Sequence, residues 1–583
     1  MPLNGLARTA IAAEEIAPGN PTPSSWQRIW LVLLPIFLLW GGRINGQELQ
    51  RYWVYFKGKD ALQREILDKA ARRSLSSRSV QRRLLRLPPG QRFDSYDLPV
   101  SDKYVDEVAA TGARVHVRSR WLNAVSVEAT DVQLAEIQRL PFVRRIAPVR
   151  TFYRRTVPPA EIGLRKQAAA ADTNRFDYGF SAQQIEQLKI PALHNRGLSG
   201  RGVLITLIDT GFYYQLHRAF RHLHVVAEWD FINHDPVTRN QPGQDAPYQH
   251  DHGTEVLSVI GGFLPGKLIG PAYGADFALA KTEYVPSETR IEEDNWVAAA
   301  EWADSLGADV ISTSLGYRDF DDGFSYTYSD LNGTTMVTSK AASIAVAKGI
   351  VVVASAGNEG NNPDWPYITS PADGIGVIAA GAVDAQGRRV SFSSIGPTAD
   401  GRIKPDVMAM GLGDAMVDPA DSVGLDFGSG TSFAAPLVAG VCALLLEQHP
   451  SWTPDKVWQA LTETASQATA PDNRYGWGIV NAEAADDYIF PEELPEKFAL
   501  AGSVINPDLG YSVFEVDLPE AQTLRVILFD VLGRRAGAFE ISLRAGAKRR
   551  LVWTWPASLA SGVYFARIAG KNRTIVAKTL IYR

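Results

Sequence analysis

The sequence predicts a central three-layer α/β domain with a parallel sheet, preceded by a small α+β unit and followed by an all-β sandwich. Three observations predict this fold. Short strands that are apolar on both faces alternate with helical segments in the middle of the chain, a mixed strand and helix pattern precedes them, and strands without helices follow them. At 583 residues the chain is long enough for several domains.

The first unit, residues 1–46, is predicted to be a secretory signal peptide. The apolar run WLVLLPIFLLW, Trp30 to Trp40, follows Arg28 and leads into small residues that suit cleavage near Gly46. This run is too short to cross a bilayer, which takes roughly 20 residues. The alternative is that the segment is retained as an anchor.

Residues 47–155 are predicted to form the small α+β unit. Its first strand is YWVYF and its last lies near FVRRIAPV, with a helix at Lys103–Ala110 and a second helix, DVQLAEIQRL, capped by Asp131. A basic helix also follows the first strand. Its arginines could indicate phosphate binding, but the interleaved leucines favour the solvated face of an amphipathic helix. These arginines are Arg72, Arg73, Arg78, Arg82, Arg83 and Arg86.

Residues 156–180 are predicted to be an exposed linker. Paired prolines, an alanine run and scattered charges replace the regular pattern here. Because exposed linkers are preferred sites of proteolysis, we expect activation cleavage in this segment.

Residues 181–490 are predicted to form the α/β domain. The strands are GVLITLID, DFALAKT, ADVISTSLG, GIVVVASAGN and GVIAAGAV, and helices such as NWVAAAEWADSLG and TSKAASIAVAKG separate them. Strands that are apolar on both faces indicate a parallel sheet covered on both sides. In such folds the functional site forms beyond the carboxyl ends of the strands.

Residues 496–583 are predicted to form an antiparallel β-sandwich. Six or seven short alternating strands, from YSVFEVDL to RTIVAKTLIYR, are separated by turn signals and include no helix.

Polar side chains suited to acyl transfer lie at three predicted strand exits of the central domain, and a serine supplies the fourth part. Asp209 ends LITLID, His252 lies in HDHGTEV, Asn358 follows VVVASAG, and Ser432 lies in GSGTSFAAPLVAG. Acyl transfer needs a serine oxygen activated by an imidazole, a carboxylate that fixes the ring, and donors for the oxyanion. The four residue types together predict this chemistry.

Ser432 is predicted to lie at or near the first residue of an apolar helix, TSFAAPLVAGVCALLLEQ. Its hydroxyl and backbone N–H then lie at the positive end of the helix dipole, where an oxyanion would be stabilised. Pro436 is close enough to the start to cost little of the helical hydrogen bonding. The carboxamide of Asn358 could supply the second oxyanion donor.

These motifs resemble the subtilisin-like serine proteases (subtilases, peptidase S8 family). GTSFAAPLVAG and HGTEV are long, separately placed and in the order Asp, His, Ser, with the asparagine between His and Ser; SSIGP at 393–397 and YGWGIVNA at 475–482 add to the resemblance. The resemblance implies catalytic Asp209, His252 and Ser432, with Asn358 at the oxyanion. It also implies that Ser314, Leu315 and Gly316 bind the substrate backbone and that Ala354 and Gly357 border a side-chain pocket. Glycine often follows that strand in the family, whereas this chain has Tyr317, which leaves the pocket width open.

The flanking units also resemble parts of known proteins. Residues 47–155 resemble the propeptides of this family, which act as chaperone and inhibitor before removal. FDVLGRR at 529–535 and LASGVYFARI at 559–568 resemble the sorting domain of the type IX secretion system. The resemblance implies protein or peptide substrates, the chain's own propeptide and the secretion machinery as partners.

Neither metal nor nucleic acid is predicted to take part in the chemistry. A net charge of −5 gives no field that would attract nucleic acid. Six histidines at positions 217, 222, 224, 234, 250 and 252 match no common zinc spacing. A structural calcium is possible at Asp319, Asp321, Asp322 and Asp330, although a solvated loop is favoured there. The single cysteine, Cys442, is interpreted as a small core side chain.

The leading hypothesis is therefore a secreted serine endopeptidase made as a self-processing precursor. It requires no cofactor for the chemistry. The alternative is a surface-attached binding protein that uses an inactive protease scaffold.

Overall fold

The computed structural model describes residues 49–59, 69, 71–149, 174–287, 289–321, 324–490, 497–506, 511–543, 545–554 and 559–581. The predicted signal peptide, most of the predicted linker and Asp322 lie outside the described residues.

The α+β unit is a four-stranded antiparallel sheet with helices. Its elements are β1 (Gln50–Phe56), α1 (Ser77–Arg86), α2 (Asp102–Ala109), β2 (Arg114–Ser119), β3 (Ala124–Ala129), α3 (Asp131–Arg139) and β4 (Val143–Val149). The strand order is β2-β3-β1-β4. The cap of α3 is Thr130, whose hydroxyl accepts from the Gln133 N–H at 3.4 Å, rather than the predicted Asp131.

Three of the six arginines in the predicted basic helix are buried rather than solvated, whereas Arg72 and Arg73 are exposed as predicted. In α1, Arg82, Arg83 and Arg86 are buried, while Leu85 is 53% exposed. The prediction was wrong because ion pairs with the central domain, more than 200 residues away along the chain, bury these side chains.

The central domain contains a seven-stranded parallel sheet in the order β13-β12-β11-β10-β5-β9-β6. These strands are β5 (Leu204–Asp209), β6 (His224–Asp230), β9 (Asp276–Lys281), β10 (Val310–Thr313), β11 (Val351–Ser355), β12 (Ile378–Val383) and β13 (Val407–Met410), with two short strands, β7 (Phe263–Leu264) and β8 (Leu268–Ile269), pairing separately. The helices are α4 (Ala182–Gln187), α5 (Ile190–Asn195), α6 (Asp251–Gly261), α7 (Arg290–Leu306), α8 (Val337–Ala347), α9 (Thr431–Gln448), α10 (Pro454–Thr464) and α11 (Ala482–Asp486).

Helices cover both faces of this sheet, as predicted. Ile205 and Leu207 of β5 point into one apolar core with α6 and α9, and Ile208 points into the other with α7 and α8. This alternation along a strand creates two cores from one sheet and confirms the three-layer fold. Cys442 is fully buried in the first core, and burial raises the pKa of its thiol.

The strand order reverses direction at β5. The chain builds β6 and β9 on one side of β5 and then β10 to β13 on the other. Ligands bind where strand order reverses in open α/β sheets, so the carboxyl ends of β5 and β10 mark the site.

The C-terminal unit is a two-sheet β-sandwich, as predicted. One sheet has the order β16-β17-β20 and the other β19-β18-β21-β22. The strands are β16 (Ala499–Asn506), β17 (Tyr511–Leu518), β18 (Gln522–Asp530), β19 (Arg535–Leu543), β20 (Gly546–Thr554), β21 (Gly562–Ala569) and β22 (Thr574–Ile581). A hairpin of β14 (Leu412–Val417) and β15 (Leu425–Ser429) precedes α9 in the central domain.

Candidate active site

Asp209 is the last residue of β5, and its side chain is buried. Its Oδ1 accepts a hydrogen bond from the Thr210 N–H at 2.7 Å and a second from Nδ1 of His252 at 2.7 Å. An ionised carboxylate here accepts the Nδ1–H, which leaves Nε2 of the imidazole as the basic nitrogen. Asp209 therefore sets both the tautomer and the orientation of His252.

His252 is the second residue of α6, and the glycine after it allows the helix to approach β5. A Cβ on Gly253 would lie 2.1 Å from the Gly211 carbonyl oxygen and 3.2 Å from Cβ of Asp209. A side chain at 253 would therefore push α6 away from Asp209 and break the 2.7 Å bond.

Ser432 is the second residue of α9, directly after the N-cap residue Gly430 and Thr431. Its hydroxyl donates to the Ser314 carbonyl oxygen at 3.2 Å, and the Ser314 hydroxyl donates back to the Ser432 carbonyl oxygen at 2.7 Å. The first N–H groups of a helix have no carbonyl partner in their own helix, so the Ser432 N–H can bind an anion. The hydrogen bond from the Ser432 hydroxyl to Nε2 of His252, which activation of the serine by an imidazole needs, stays a prediction.

Asn358 lines the same cleft as Ser432, and Thr431 orients its side chain. The Asn358 Oδ1 accepts from the backbone N–H of Thr431 and from its hydroxyl, both at 3.0 Å. Because the amide oxygen is held in this way, Nδ2 is turned away from Thr431 and can donate elsewhere. Sequence reasoning missed the part played by Thr431.

A cleft of about 400 Å³ brings the predicted residues together. Its lining includes His252, Ser314, Leu315, Gly316, Gly357, Asn358 and Ser432. Asp209 lies beneath it, bonded to His252. Ala354 instead packs in the core with α7, and its neighbour Ser355 lines the cleft, since successive strand side chains face opposite ways.

Gly316 and Tyr317, which follow β10, are the two residues that bear on the width of this cleft. A Cβ on Gly316 would lie 2.4 Å from Oγ1 of Thr369, so a larger residue there would displace the Thr369 side chain. Tyr317 does not narrow the cleft, because its side chain is buried and its hydroxyl donates to Oε1 of Glu283 at 2.6 Å. Glu283 and Thr369 both line the cleft.

The cleft is acidic. Asp251, Glu255, Glu283 and Glu359 line it, and no lysine or arginine is found among its described lining residues. Burial raises the pKa of Glu255, one helical turn from His252, to about 7; His252 opposes this rise and Asp251 adds to it. The HGTE motif contained Glu255, but nothing in the sequence pattern set it apart from an ordinary helix-surface carboxylate.

Two of the four residues considered for a calcium ion make other contacts. Asp319 pairs with Arg318, and Oδ2 of Asp330 accepts from the N–H and hydroxyl of Thr327 at 2.9 and 2.7 Å. No group of three or more metal-ligating side chains occurs within the described parts of the chain.

Comparisons with known protein families and with individual proteins support the interpretation of this cleft as a protease site. The model of the Subtilase family matches residues 200–478, and that of the peptidase S8 propeptide domain of Bacteroidota matches residues 51–161. Subtilisin NAT of Bacillus subtilis subsp. natto is 30% identical over 393 residues, which are 66% of this chain and 86% of the relative. Subtilisin of Bacillus pumilus is 33% identical over 306 residues, 52% of this chain and 97% of the relative.

A solved structure has the same fold. Fervidolysin from Fervidobacterium pennivorans, described as a keratinolytic enzyme related to subtilisin, superposes with a TM-score of 0.53 at 17% identity, over 92% of each chain. At that identity the likeness concerns the fold alone. Subtilisin NAT, which is 30% identical over 86% of its own length, supports assignment to its family as well as to its fold. The chain therefore belongs to the subtilase family of serine-type endopeptidases and carries an S8 propeptide domain before its catalytic domain.

Proposed function

We propose that the chain is an exported serine endopeptidase precursor in which Ser432, His252 and Asp209 form the catalytic triad. The Ser432 hydroxyl attacks the peptide carbonyl, and Nε2 of His252 accepts the hydroxyl proton. His252 then returns the proton to the leaving amine, and water releases the acyl group from Ser432 by the same route. Asp209 holds the ring and stabilises the imidazolium form.

The observation that carries this proposal is the 2.7 Å hydrogen bond between His252 Nδ1 and buried Asp209, in a cleft that also holds Ser432. Asn358 supports the oxyanion assignment, because its amide oxygen is occupied by Thr431 and its amide nitrogen is turned away from that residue. A tetrahedral oxyanion would then receive hydrogen bonds from Asn358 Nδ2 and the Ser432 N–H.

Labelling with a fluorophosphonate tests the nucleophile. A folded, processed sample should carry the label on Ser432 alone, and the Ser432→Ala variant should remain unlabelled. Label on another serine, or none on native protein that has lost its propeptide, would refute the assignment.

The same chemistry is proposed to process the precursor. The native chain should lose its N-terminal part by a cut within the linker, residues 156–180, while the Ser432→Ala chain should stay full length. N-terminal sequencing of the product locates the cut. A Ser432→Ala chain that is cut at the same place in purified form would show that another enzyme does the processing.

Export is proposed to use both ends of the chain. The apolar run at 30–40 suits a signal peptide, and the Bacteroidota propeptide suits a host with type IX secretion. The β18–β19 turn of the sandwich exposes Val531 (67%) and Leu532 (73%), which could contact the secretion machinery. Deleting residues 496–583 should leave the active enzyme inside the cells of a type IX-competent host; normal export of the shortened chain would contradict a sorting role.

A further inference from the structure

The leaving-group side of the cleft lies next to α6. In the proposed mechanism Nε2 of His252 returns the proton to the leaving amine, so this amine must lie beside the imidazole. We expect the acyl part of the substrate along the segment of Ser314, whose carbonyl oxygen accepts from the Ser432 hydroxyl at 3.2 Å. The first residues after the scissile bond therefore meet the face of α6 that carries His252.

Glu255 lies on this face of α6. It follows His252 by three residues, a spacing that places two side chains on the same side of a helix, and both residues line the cleft of about 400 Å³. The Glu255 side chain is only partly exposed, and its carboxylate has no hydrogen bond and no lysine or arginine partner among the described residues. It can accept a cation that the substrate brings into the cleft.

The β14–β15 hairpin packs beside α6 and α9. The Ser258 hydroxyl, further along α6, accepts the N–H of Val417 at the end of β14 at 3.0 Å. On β15, a Cβ at Gly428 would lie 2.4 Å from the ring of Phe433 in α9, and the centroid of that ring lies 6.2 Å from that of His252. The hairpin is therefore held between the two helices, close to the proposed catalytic imidazole.

Two carboxylates of this hairpin add to those of α6. Asp418 directly follows β14, and Asp426 is an exposed residue of β15. Burial and the charge of Asp418 raise the pKa of Asp251. Burial raises the pKa of Glu255 to about 7; His252 opposes this rise, and Asp251 and Asp426 add to it. Because like charges have this effect only at short range, the four carboxylates lie together, and we call them the acidic group.

The acidic group has no strong cation of its own. Elsewhere in the domain, buried carboxylates are paired: Asp230 and Asp245 both contact Nζ of Lys281, at 2.8 and 2.5 Å. In the acidic group, the one ion pair among the described residues joins Asp251 to His250 at 3.6 Å. Neighbouring like charges without a cation create a negative potential, which attracts a positive group from outside.

We propose that the acidic group makes the enzyme select lysine or arginine at one of the first two positions after the scissile bond. The inference rests on the proposed function and extends it to the class of substrate. Successive side chains of an extended peptide face opposite ways, so only one of the two positions faces α6. Glu255 receives the cation from the cleft, and Asp251 and Asp426 strengthen the attraction.

Transfer of the acyl group to added amines measures this side of the cleft by itself. A peptide ester first acylates Ser432. An added amine then attacks the acyl carbonyl, forms a new amide bond and displaces the Ser432 oxygen, which takes up the proton of the amine through His252. The amine occupies the site of the leaving group, because this step is the reverse of acylation by a peptide. Water competes for the same acyl-enzyme, so the ratio of amide to acid product compares one amine with another.

The probes are argininamide and citrullinamide, which have nearly the same shape but differ in charge, and the same two compounds preceded by glycine. With the processed enzyme at about pH 8.5 and low salt, where the carboxylates are ionised, the arginine probe should give about three- to tenfold more transfer than its citrulline counterpart at one of the two positions. About 0.5 M salt should reduce this preference, since screening then limits the attraction to a few ångströms.

Glu255→Gln should lower the arginine preference about two- to fivefold, and Asp426→Asn about twofold. Glu359→Gln is the matched control, because it removes a carboxylate that lines the cleft outside α6 and the hairpin, and it should leave the preference unchanged. If Glu255→Gln does not fold, Asp426→Asn decides the matter. Asp426 is exposed, and asparagine keeps an oxygen for the Phe427 N–H that Oδ1 accepts at 2.7 Å.

Equal transfer to the arginine and citrulline probes at both positions would overturn the proposal. So would a preference that is unchanged in Glu255→Gln and Asp426→Asn, or one that falls equally in Glu359→Gln. If the native enzyme does not turn over the ester at all, the proposed function fails and the inference fails with it. Ester hydrolysis therefore distinguishes the two failures.

Discussion

Replacing Thr431 by valine should slow peptide hydrolysis without weakening substrate binding, because Thr431 acts through Asn358. The Thr431 hydroxyl gives one of the two 3.0 Å hydrogen bonds that hold the amide oxygen of Asn358, and the backbone N–H of the same residue gives the other. Valine keeps the backbone bond and the shape of the side chain but loses the hydroxyl. The amide would then be free to turn away from the oxyanion for part of the time.

The magnitude follows from the number of bonds lost. One net hydrogen bond contributes about 1 kcal/mol, which corresponds to about a fivefold fall in kcat. Removing an oxyanion donor altogether from a subtilisin costs about 2.7–4 kcal/mol, or 10²–10³ in kcat, so Asn358→Leu sets the upper limit. We expect Thr431→Val to lower kcat about three- to tenfold, with KM within a factor of two, in steady-state assays on a peptide substrate.

A double-mutant cycle separates this role from a general loss of structure. Thr431 Oγ1 also accepts the buried Gly357 N–H at 3.2 Å, so valine should also lower the unfolding temperature. Thr431→Ser keeps the hydroxyl and should retain nearly full kcat. In an Asn358→Leu background Thr431→Val should have no further effect on kcat; an equal fall with and without Asn358 would refute the positioning role.

Three further substitutions each remove one carboxylate and test its electrostatic effect. Asp294 of α7 accepts from Ser126 of the propeptide at 2.5 Å, and burial raises its pKa to about 7; the stability it contributes is complete below its ordinary pKa and lost as pH rises through 7. Asp294→Asn in the uncleaved precursor should therefore reduce the fall in urea-unfolding free energy between pH 5 and 8 by roughly 3 kcal/mol at most, because about two of the pKa units between 3.8 and 7 lie in that range; an unchanged slope would contradict this. Because the pKa of Glu255 is about 7, its carboxyl group is only partly ionised across the acid limb of kcat/KM, and Glu255→Gln should move that limb to lower pH by a few tenths of a unit at most; a shift to higher pH would contradict this. Glu359 lines the acidic cleft and should attract cationic side chains. Glu359→Gln should therefore lower kcat/KM for peptides with lysine or arginine about two- to tenfold relative to neutral peptides at low salt. Equal losses for both kinds of peptide would show that Glu359 does not contribute to substrate specificity.

The parts of the fold that the sequence predicted are those with a strong local pattern. β5, β9, β10, β11 and β12 are short, almost wholly apolar strands, and each was recognised from its own residues. The sheet has two more strands, which the sequence pattern did not indicate. β6 is an edge strand with a half-exposed, mixed face, and β13 has only four residues after Pro405. Both acquire their conformation from the neighbour they pair with, which a local pattern does not contain.

The site residues were predicted for a different reason. Asp209, His252, Asn358 and Ser432 each lie in a recognisable motif whose order along the chain is informative. Thr431 is adjacent to Ser432 in the sequence, but its role depends on the hydrogen bond that its hydroxyl donates to Oδ1 of Asn358. That contact between distant residues is seen only in the structure.

The buried arginines of α1 show where a local sequence pattern gives the wrong answer. Leucines interleaved with arginines ordinarily mark a helix with a wet cationic face, and that inference assigns the leucines to the core. Here Arg83 is buried and Leu85 is 53% exposed, because the partners of the cations are Asp304 and Asp309, far away in the sequence. The same two carboxylates, read locally, look like an ordinary helix-end aspartate and a turn residue. The cations and the carboxylates of this buried cluster therefore lie in two distant segments of the sequence, and each segment taken alone has the pattern of a solvated surface. Their pairing is seen only when the two domains are in contact in the precursor.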